Sequence, residues 1–185
     1  MGKEDGVKKY QIIYADPPWR YDFSNTKNRE IENKYPTMSL EDIKALNVPS
    51  DDNAVLYLWA TAPKLQEALE VMKAWGFTYK THLIWDKVLI GMGYWFRGQH
   101  ELLLVGVKGK FSPPPQSLRI GSILKHKRTI HSSKPFEIKH QIKLWYPDKT
   151  KIELFAREKT EGWDCIGNGI NGKDIRQELE EMINE

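Results

Sequence analysis

The segment Asp16-Pro17-Pro18-Trp19 places a carboxylate, rigid carbonyls and an aromatic ring next to one another. The amino group on an aromatic base is a poor nucleophile because its lone pair is delocalised into the ring. Two acceptors that bind its two N–H bonds favour a pyramidal nitrogen, and the Asp16 carboxylate and the Pro17 carbonyl offer such a pair. Trp19 offers a face for base stacking. The four residues indicate methylation of an exocyclic amine, whereas Asp-Pro-Pro alone also suits a tight turn that packs its Trp into the core.

The elements around this motif place it at the end of a buried strand. Apolar runs and periodicity predict strands over residues 10–15, 54–59, 77–85, 101–107 and 151–155, and helices over 39–46, 63–75, 135–144 and 173–184. Alternating strands and helices predict a single α/β domain, 1–185, with a mostly parallel, doubly wound sheet. Because ligands bind at the carboxyl ends of such strands, the positions of interest are 16–19, 60–63, 86–100 and 155–157.

The basic residues are concentrated in the middle of the chain. From Lys87 to Lys134 the only acidic residue is Glu101, and residues 108–130 form a long basic insertion poor in regular structure. Such asymmetry predicts nucleic-acid binding, with a merely solvated basic face as the alternative. The candidate substrate-binding residues are Trp19, Trp95, Arg97, Lys110, Arg119, Lys125, Lys127 and Arg128.

Composition excludes several other classes of protein. The chain is 40% hydrophobic and 29% charged, and it has neither an apolar run of membrane-spanning length nor a signal peptide. Cys165 is the only cysteine, which excludes an intramolecular disulfide. We therefore expect an intracellular, cytoplasmic protein with no membrane partner.

Two other kinds of site are not supported. The five histidines have neither paired spacing nor accompanying carboxylates, so no metal site is predicted. Residues 167–172 match a G-x-G-x-x-G pattern, but too little chain follows for the strand and acidic residue of a dinucleotide site.

Several ordered motifs resemble the MT-A-seventy family of adenine-N(6) methyltransferases over nearly the whole chain. They include residues 14–19, 35–38, 58–61, 101–109, 131–135, 151–157, 162–164 and 167–168. The resemblance implies a Rossmann-like class I fold in permuted order, with the catalytic motif ahead of the cofactor motif. It also implies S-adenosylmethionine as cofactor, and the short chain is similar to bacterial or phage members.

The resemblance further implies the site residues. Asp16, Pro17, Pro18 and Trp19 would be catalytic, and the cofactor would meet Asp16, His100, Lys134, Glu153, Leu154, Phe155, Arg157 and Asn168. Relatives place a basic residue at His100, so this histidine departs from the pattern. Lys134 begins a helix, where it suits the cofactor carboxylate, a substrate phosphate or a plain helix cap.

The leading hypothesis is methyl transfer to the 6-amino group of adenine, with DNA favoured over RNA. One alternative is a non-catalytic nucleic-acid-binding subunit, although the retained Asp16 and Trp19 favour an active enzyme. Another is an enzyme of the same mechanism that acts on a different amine, such as that of cytosine. A second subunit or a homodimer also stays open.

Overall fold

A computed structural model describes residues 7–21, 36–93, 95–127 and 133–184. Seven strands form one sheet in the order β5-β3-β4-β2-β1-β6-β7. The strands are β1 (Tyr10–Ala15), β2 (Ser50–Thr61), β3 (Thr78–Asp86), β4 (His100–Lys108), β5 (Ile123–Lys125), β6 (Lys151–Leu154) and β7 (Asp164–Ile166). The helices are α1 (Leu40–Lys44), α2 (Leu65–Ala74), α3 (Phe136–Trp145), α4 (Asn168–Asn171) and α5 (Ile175–Asn184).

The sheet is mixed but mostly parallel, which confirms the predicted α/β class. β1 pairs in parallel with β2 and β6, β6 with β7, and β3 with β5, whereas β4 is antiparallel to both β2 and β3. The carboxyl ends of the other strands therefore meet the first residues of β4 along one side of the sheet, called here the carboxyl end. β4 runs the other way because the loop 87–99 contains no crossover helix to carry the chain back.

Side-chain alternation along the strands builds two cores. Ile13 and Ala15 of β1 pack in the cluster that also contains apolar residues of α1, α2 and α5. Ile12 and Tyr14 point to the other face, where Ile138 of α3 packs. The two-residue period of a strand thus covers both faces of the sheet with helices.

Most predicted elements agree with the structure, and the first strand agrees over its whole length. The helix predicted over 39–46 is observed as α1, where the Ser39 hydroxyl caps the first turn by accepting the Asp42 amide at 3.1 Å. β2 is longer than predicted, and β5, β7 and α4 were not predicted.

The basic insertion is more ordered than expected. It contains a short 3-10 turn (Gln116–Leu118) and β5, and it packs against the end of α3. The Trp145 indole donates to the Leu118 carbonyl at 2.7 Å, and the Tyr146 hydroxyl donates to the Ser112 carbonyl at 2.9 Å. Residues 22–35, with the motif residue Tyr35, and residues 128–132, with the candidate Arg128, lie outside the described residues. Among the helices that are described, none is long and apolar enough to cross a membrane.

Candidate active site

A cavity of about 1040 Å³ opens at the carboxyl end of the sheet. The motif 16–19 lines it where β1 ends, and Glu101 lines it where β4 begins. The chain after β6 contributes Phe155 and Arg157, and the segment after β7 contributes Asn168. The site therefore lies where an open α/β sheet places its ligands.

A chain of ion pairs forms one wall of this cavity. The Lys134 ammonium lies 2.9 Å from Asp16 Oδ2 and 3.1 Å from Glu101 Oε2. The Lys87 ammonium contacts the other Glu101 oxygen at 3.2 Å. Lys134 also lies over the ring of Trp59, 5.5 Å from its centroid. Two carboxylates thus share Lys134, and Glu101 alone has a second lysine.

Sequence reasoning missed Glu101 as a site residue. It begins a buried strand in an otherwise basic stretch, and this lone acid was the only signal available. Its position depends on the antiparallel direction of β4, which sets Glu101 opposite Thr61 at the end of β2.

The ion-pair cluster stabilises the ionised form of Glu101 more than that of Asp16. Burial raises the pKa of Asp16, and the attraction of Lys134 only partly offsets this rise. Burial acts on Glu101 in the same direction, but Lys134 and Lys87 together hold the pKa of Glu101 below its ordinary value. Burial would lower the pKa of Lys134, yet Asp16 and Glu101 raise it above the ordinary value. Lys134 therefore stays cationic, and Asp16 is the carboxyl group of this cluster that protonates first as the pH falls.

Backbone hydrogen bonds hold the motif itself in a tight turn. The Trp19 amide donates to the Pro17 carbonyl at 2.9 Å, and the Met38 amide donates to the Pro18 carbonyl at 2.9 Å. The Trp19 indole donates to the Trp59 carbonyl at 3.2 Å, and its side chain is only 7% exposed. Trp19 thus packs into the core and also lines the cavity, while a second lone pair remains on the Pro17 oxygen.

Another part of the cavity lining is built on strained and glycine-rich backbone. Phe155 has a φ of 63°, which is unusual for a residue with a side chain. Gly167 has a φ of 150°, and its amide donates to Glu178 at 2.8 Å. The other Glu178 oxygen accepts the Asn171 side-chain amide at 2.7 Å, so one carboxylate of α5 binds the segment from Gly167 to Asn171 at both ends.

Three predicted cofactor residues lie outside the lining of this cavity. Leu154 is fully buried on the face covered by α1, α2 and α5. The Glu153 carboxylate accepts Lys139 of α3 at 2.9 Å, on the opposite face. His100 is exposed and lies opposite Asp86 in the β3–β4 pair. Cofactor contacts of these three residues stay a prediction.

The predicted substrate residues are divided between two ends of the sheet. Trp95 and Arg97 belong to the loop 87–99, which leaves and returns at the carboxyl end. Lys125 lies opposite Asp86 in the β3–β5 pair, at the same end. The Lys110 amide instead donates to Asn53 at the start of β2, so Lys110 lies at the other end.

Arg119 does not line the cavity, and its side chain donates to the Pro114 carbonyl at 3.0 Å within the insertion. Lys127 is exposed just beyond β5. In the part of the chain that the structure describes, no group of three or more His, Cys, Asp or Glu residues is arranged to hold a metal ion.

The comparison with protein families decides the classification of the chain. The MT-A70 sequence profile matches residues 10–169, from the first strand to the glycine-rich wall of the cavity. The chain belongs to the MT-A70 family. The expected resemblance is thereby confirmed, and this MT-A70 chain carries the Asp-Pro-Pro-Trp motif inside its cavity.

Individual relatives differ in how much of their length is matched. The type II methyltransferase M.MunI of a Mycoplasma species is 36% identical over an alignment of 198 positions, which covers 96% of this chain and 85% of that protein. The human N(6)-adenosine-methyltransferase catalytic subunit METTL3 is 31% identical, covering 89% of this chain and 29% of its own length. A Drosophila melanogaster MT-A70-like N(6)-adenosine-methyltransferase is also 31% identical, with 27% of its length matched. The chain thus spans less than a third of the two larger relatives.

Proposed function

We propose that this chain transfers the methyl group of S-adenosylmethionine to the 6-amino group of adenine in DNA. The observation that carries the proposal is the Asp16 carboxylate, held by Lys134 at 2.9 Å at the wall of a large cavity beside Trp19. Family membership supports adenine, because several relatives are named N(6)-adenosine-methyltransferases. The match over most of both lengths is with a type II methyltransferase, which favours DNA over RNA.

The residues of the cavity fit an adenosine cofactor with a carboxylate. Arg157 and the Asn168 amide offer hydrogen-bond donors, and the ring of Phe155 offers an apolar face. Lys134 provides the cation that a carboxylate requires. The volume exceeds what a drug-sized ligand fills, so a cofactor and a base both have room.

The bound cofactor supplies an electrophilic methyl group. Asp16 accepts one N–H bond of the adenine amine and the Pro17 carbonyl accepts the other, which aims the nitrogen lone pair at that methyl group. Lys134 favours the ionised form of Asp16, because the ammonium and the carboxylate are only 2.9 Å apart. The methylated amine carries an extra proton, and it passes this proton to the Asp16 carboxylate or to water only after the nitrogen–methyl bond has formed. Asp16 therefore acts chiefly by orientation.

The permuted motif order and the single-domain organisation belong to the same proposal. The Asp-Pro-Pro-Trp motif follows β1, and the proposed cofactor residues follow β6 and β7 later in the chain. The proposed substrate contacts are Trp19, Trp95, Arg97, Lys125, Lys127 and Arg128. The predicted contacts of Lys110 and Arg119 are not part of this proposal, because Lys110 lies at the other end of the sheet and Arg119 does not line the cavity.

Nucleoside analysis tests the proposal directly. The protein is incubated with methyl-labelled S-adenosylmethionine and either unmethylated plasmid DNA or RNA, and the products are digested to nucleosides. We expect labelled N6-methyldeoxyadenosine from DNA and a loss of at least about 100-fold in Asp16→Ala, because the amine loses its charged acceptor. Asp148→Asn, an exposed carboxylate change, is the control that retains activity. Undiminished methyladenine in Asp16→Ala, or label on cytosine, contradicts the proposal.

A further inference from the structure

The loop 87–99 between β3 and β4, called here the aromatic loop, leaves large apolar side chains in water. Trp95 is 94% exposed, Phe96 is 90% exposed and Met92 is 82% exposed. Single exposed apolar residues are ordinary, but several together on one loop mark a binding surface. Within the described residues these side chains are not part of either core cluster, so folding gives them no role.

The backbone of the aromatic loop presents these side chains at its tip. The Gly91 amide donates to the Gly98 carbonyl at 2.7 Å, and the Gly98 amide donates to the Met92 carbonyl at 3.0 Å. These two hydrogen bonds join the two sides of the loop, and Trp95 and Phe96 belong to the tip that lies between them in the chain. A Cβ on Gly93 would lie 2.0 Å from the Phe96 carbonyl oxygen, so the tip is tightly folded.

The base of the aromatic loop is connected to the proposed active site. Lys87, its first residue, pairs with Glu101, and Lys134 joins Glu101 to Asp16. Val88 has a φ of 67°, which is strained for a β-branched residue, and its amide donates to the Asp86 carboxylate at 2.8 Å. The Lys87–Glu101 ion pair and the Val88–Asp86 hydrogen bond thus fix the direction in which the loop leaves the sheet.

The charges near the tip indicate which class of partner the aromatic loop binds. Arg97, Lys125 and Lys127 are exposed on this side. The acids near them are Asp86, whose carboxylate accepts the Val88 amide and the Gln99 side chain, and Glu101, which is only 8% exposed inside the ion-pair chain. Two copies of the loop meeting tip to tip would bring cations together, whereas phosphates neutralise them. Apolar side chains flanked by cations suit a kinked base step in duplex DNA.

We infer that Trp95 and Phe96 insert into the base stack of duplex DNA beside the target adenine. A base inside a duplex reaches an enclosed cavity only after it leaves the stack, and unstacking costs free energy. Insertion of the two aromatic side chains fills the gap and stabilises the extruded base. The inference rests on the proposed function, because it assigns the cavity to an adenine taken from a duplex.

Plasmid topology tests insertion without methyl transfer. A closed-circular plasmid is relaxed by topoisomerase I in the presence of protein, and the change in linking number is read after protein removal. Fluorescence anisotropy on a labelled duplex sets equal DNA occupancy for each variant. We expect the wild type to lower the linking number, and the Trp95→Ala/Phe96→Ala variant to lose at least half of this change. Trp95→Phe is expected to retain most of it.

Controls separate insertion from catalysis and from general surface effects. Asp16→Ala keeps the aromatic loop and is expected to change the linking number as the wild type does. Leu144→Ala, at an apolar residue that is 53% exposed on α3, is the matched surface control and is expected to have no effect. The methylation rate of the double variant is expected to fall at least about tenfold on duplex DNA, and by a smaller factor on single-stranded DNA, where no base has to leave a stack.

Three results overturn the inference. One is a linking-number change in the double variant equal to that of the wild type. Another is a wild type that binds the plasmid without changing its topology. The third is a wild-type dimer in sedimentation that the double variant converts to a monomer, since the tip would then be a subunit interface. A topology change without methyl transfer refutes only the proposed function, and methyl transfer without a topology change refutes only the insertion.

Discussion

At the scale of single residues, the ion-pair cluster shifts the pKa values of its two carboxyl groups in opposite directions. Glu101 contacts Lys134 and Lys87, while Asp16 has only Lys134 of these two cations within ion-pair distance. The pKa of Glu101 is therefore lowered and that of Asp16 is raised, mainly by burial. The proposed catalytic carboxylate is held charged in surroundings that disfavour its charge, as expected where function opposes stability.

This imbalance predicts that Asp16→Asn stabilises the folded protein while it abolishes methyl transfer. A carboxyl group whose pKa is raised by folding lowers stability when it is ionised, so at neutral pH the amide removes an unfavourable charge. We expect a melting temperature above that of the wild type, which thermal melts at neutral pH measure.

The same linkage fixes the pH dependence of that gain. As the pH falls through the folded-state pKa of Asp16, the wild type takes up its proton and the difference between the two proteins shrinks. Near the ordinary value of 3.8 the difference is gone. Thermal melts of both proteins across this range measure the effect, and a less stable Asp16→Asn at neutral pH would show that Lys134 outweighs burial.

At the scale of elements, the segment between β7 and α5 shapes the wall proposed for the cofactor. Glu178 of α5 holds the Gly167 amide and the Asn171 side chain together. The Ala156 amide donates to the Ile166 carbonyl at 2.9 Å, so the chain after β6 is bound to the end of β7. Backbone contacts of this closeness leave no room for an added side chain.

Gly167→Ala is the substitution that tests this wall. A Cβ there would lie 2.6 Å from the Ala156 amide nitrogen, and the φ of 150° disfavours any side chain. We expect a loss of about 2–4 kcal/mol in the free energy of unfolding and at least about tenfold weaker S-adenosylmethionine binding by calorimetry. Gly121→Ala is the matched control, because its Cβ meets nothing within 4 Å. If the two variants had the same free energy of unfolding and the same affinity for S-adenosylmethionine, the prediction would be wrong, since the wall would then accommodate the added Cβ.

At the scale of the whole molecule, the basic residues that the structure describes in the middle of the chain lie at two ends of the sheet. Lys108 ends β4 seven residues after Glu101, which places it about 23 Å along the strand from the ion cluster. Lys110 lies beyond it, at the start of β2. Lys125 and Lys127 are at the carboxyl end with the aromatic loop. Of these residues, only the second group lies at the carboxyl end of the sheet, where the cavity opens.

The salt dependence of DNA binding distinguishes these groups. Removing both contacts in Lys125→Ala/Lys127→Ala is expected to reduce the slope of log K against log salt by about 1.8, since each phosphate contact contributes about 0.9. The matched pair Lys110→Ala/Lys149→Ala, exposed at the other end, is expected to leave the slope unchanged. Anisotropy titrations of a duplex at several salt concentrations provide the measurement. The reverse result would place DNA across the far end of the sheet.

Local sequence patterns predicted most of the helices and strands, but they did not predict the short elements β5, β7 and α4. The buried run at 10–15 and the Ser39 cap were predictable because apolar runs and capping depend on neighbours in sequence. β5 and β7 have three residues each, and a strand that short is stabilised by its partner in the sheet and not by its own periodicity.

The sequence by itself determined the family, the α/β class and the motif at residues 16–19, because these depend on residue types in a fixed order. Only the tertiary structure decided that Glu101 and Lys134 meet Asp16, and that Lys110 lies far away. The physical reason is the direction of β4, since an antiparallel strand brings its first residue to the end where parallel strands finish. Side chains separated by 33 and 85 positions in the chain thereby become one charged cluster.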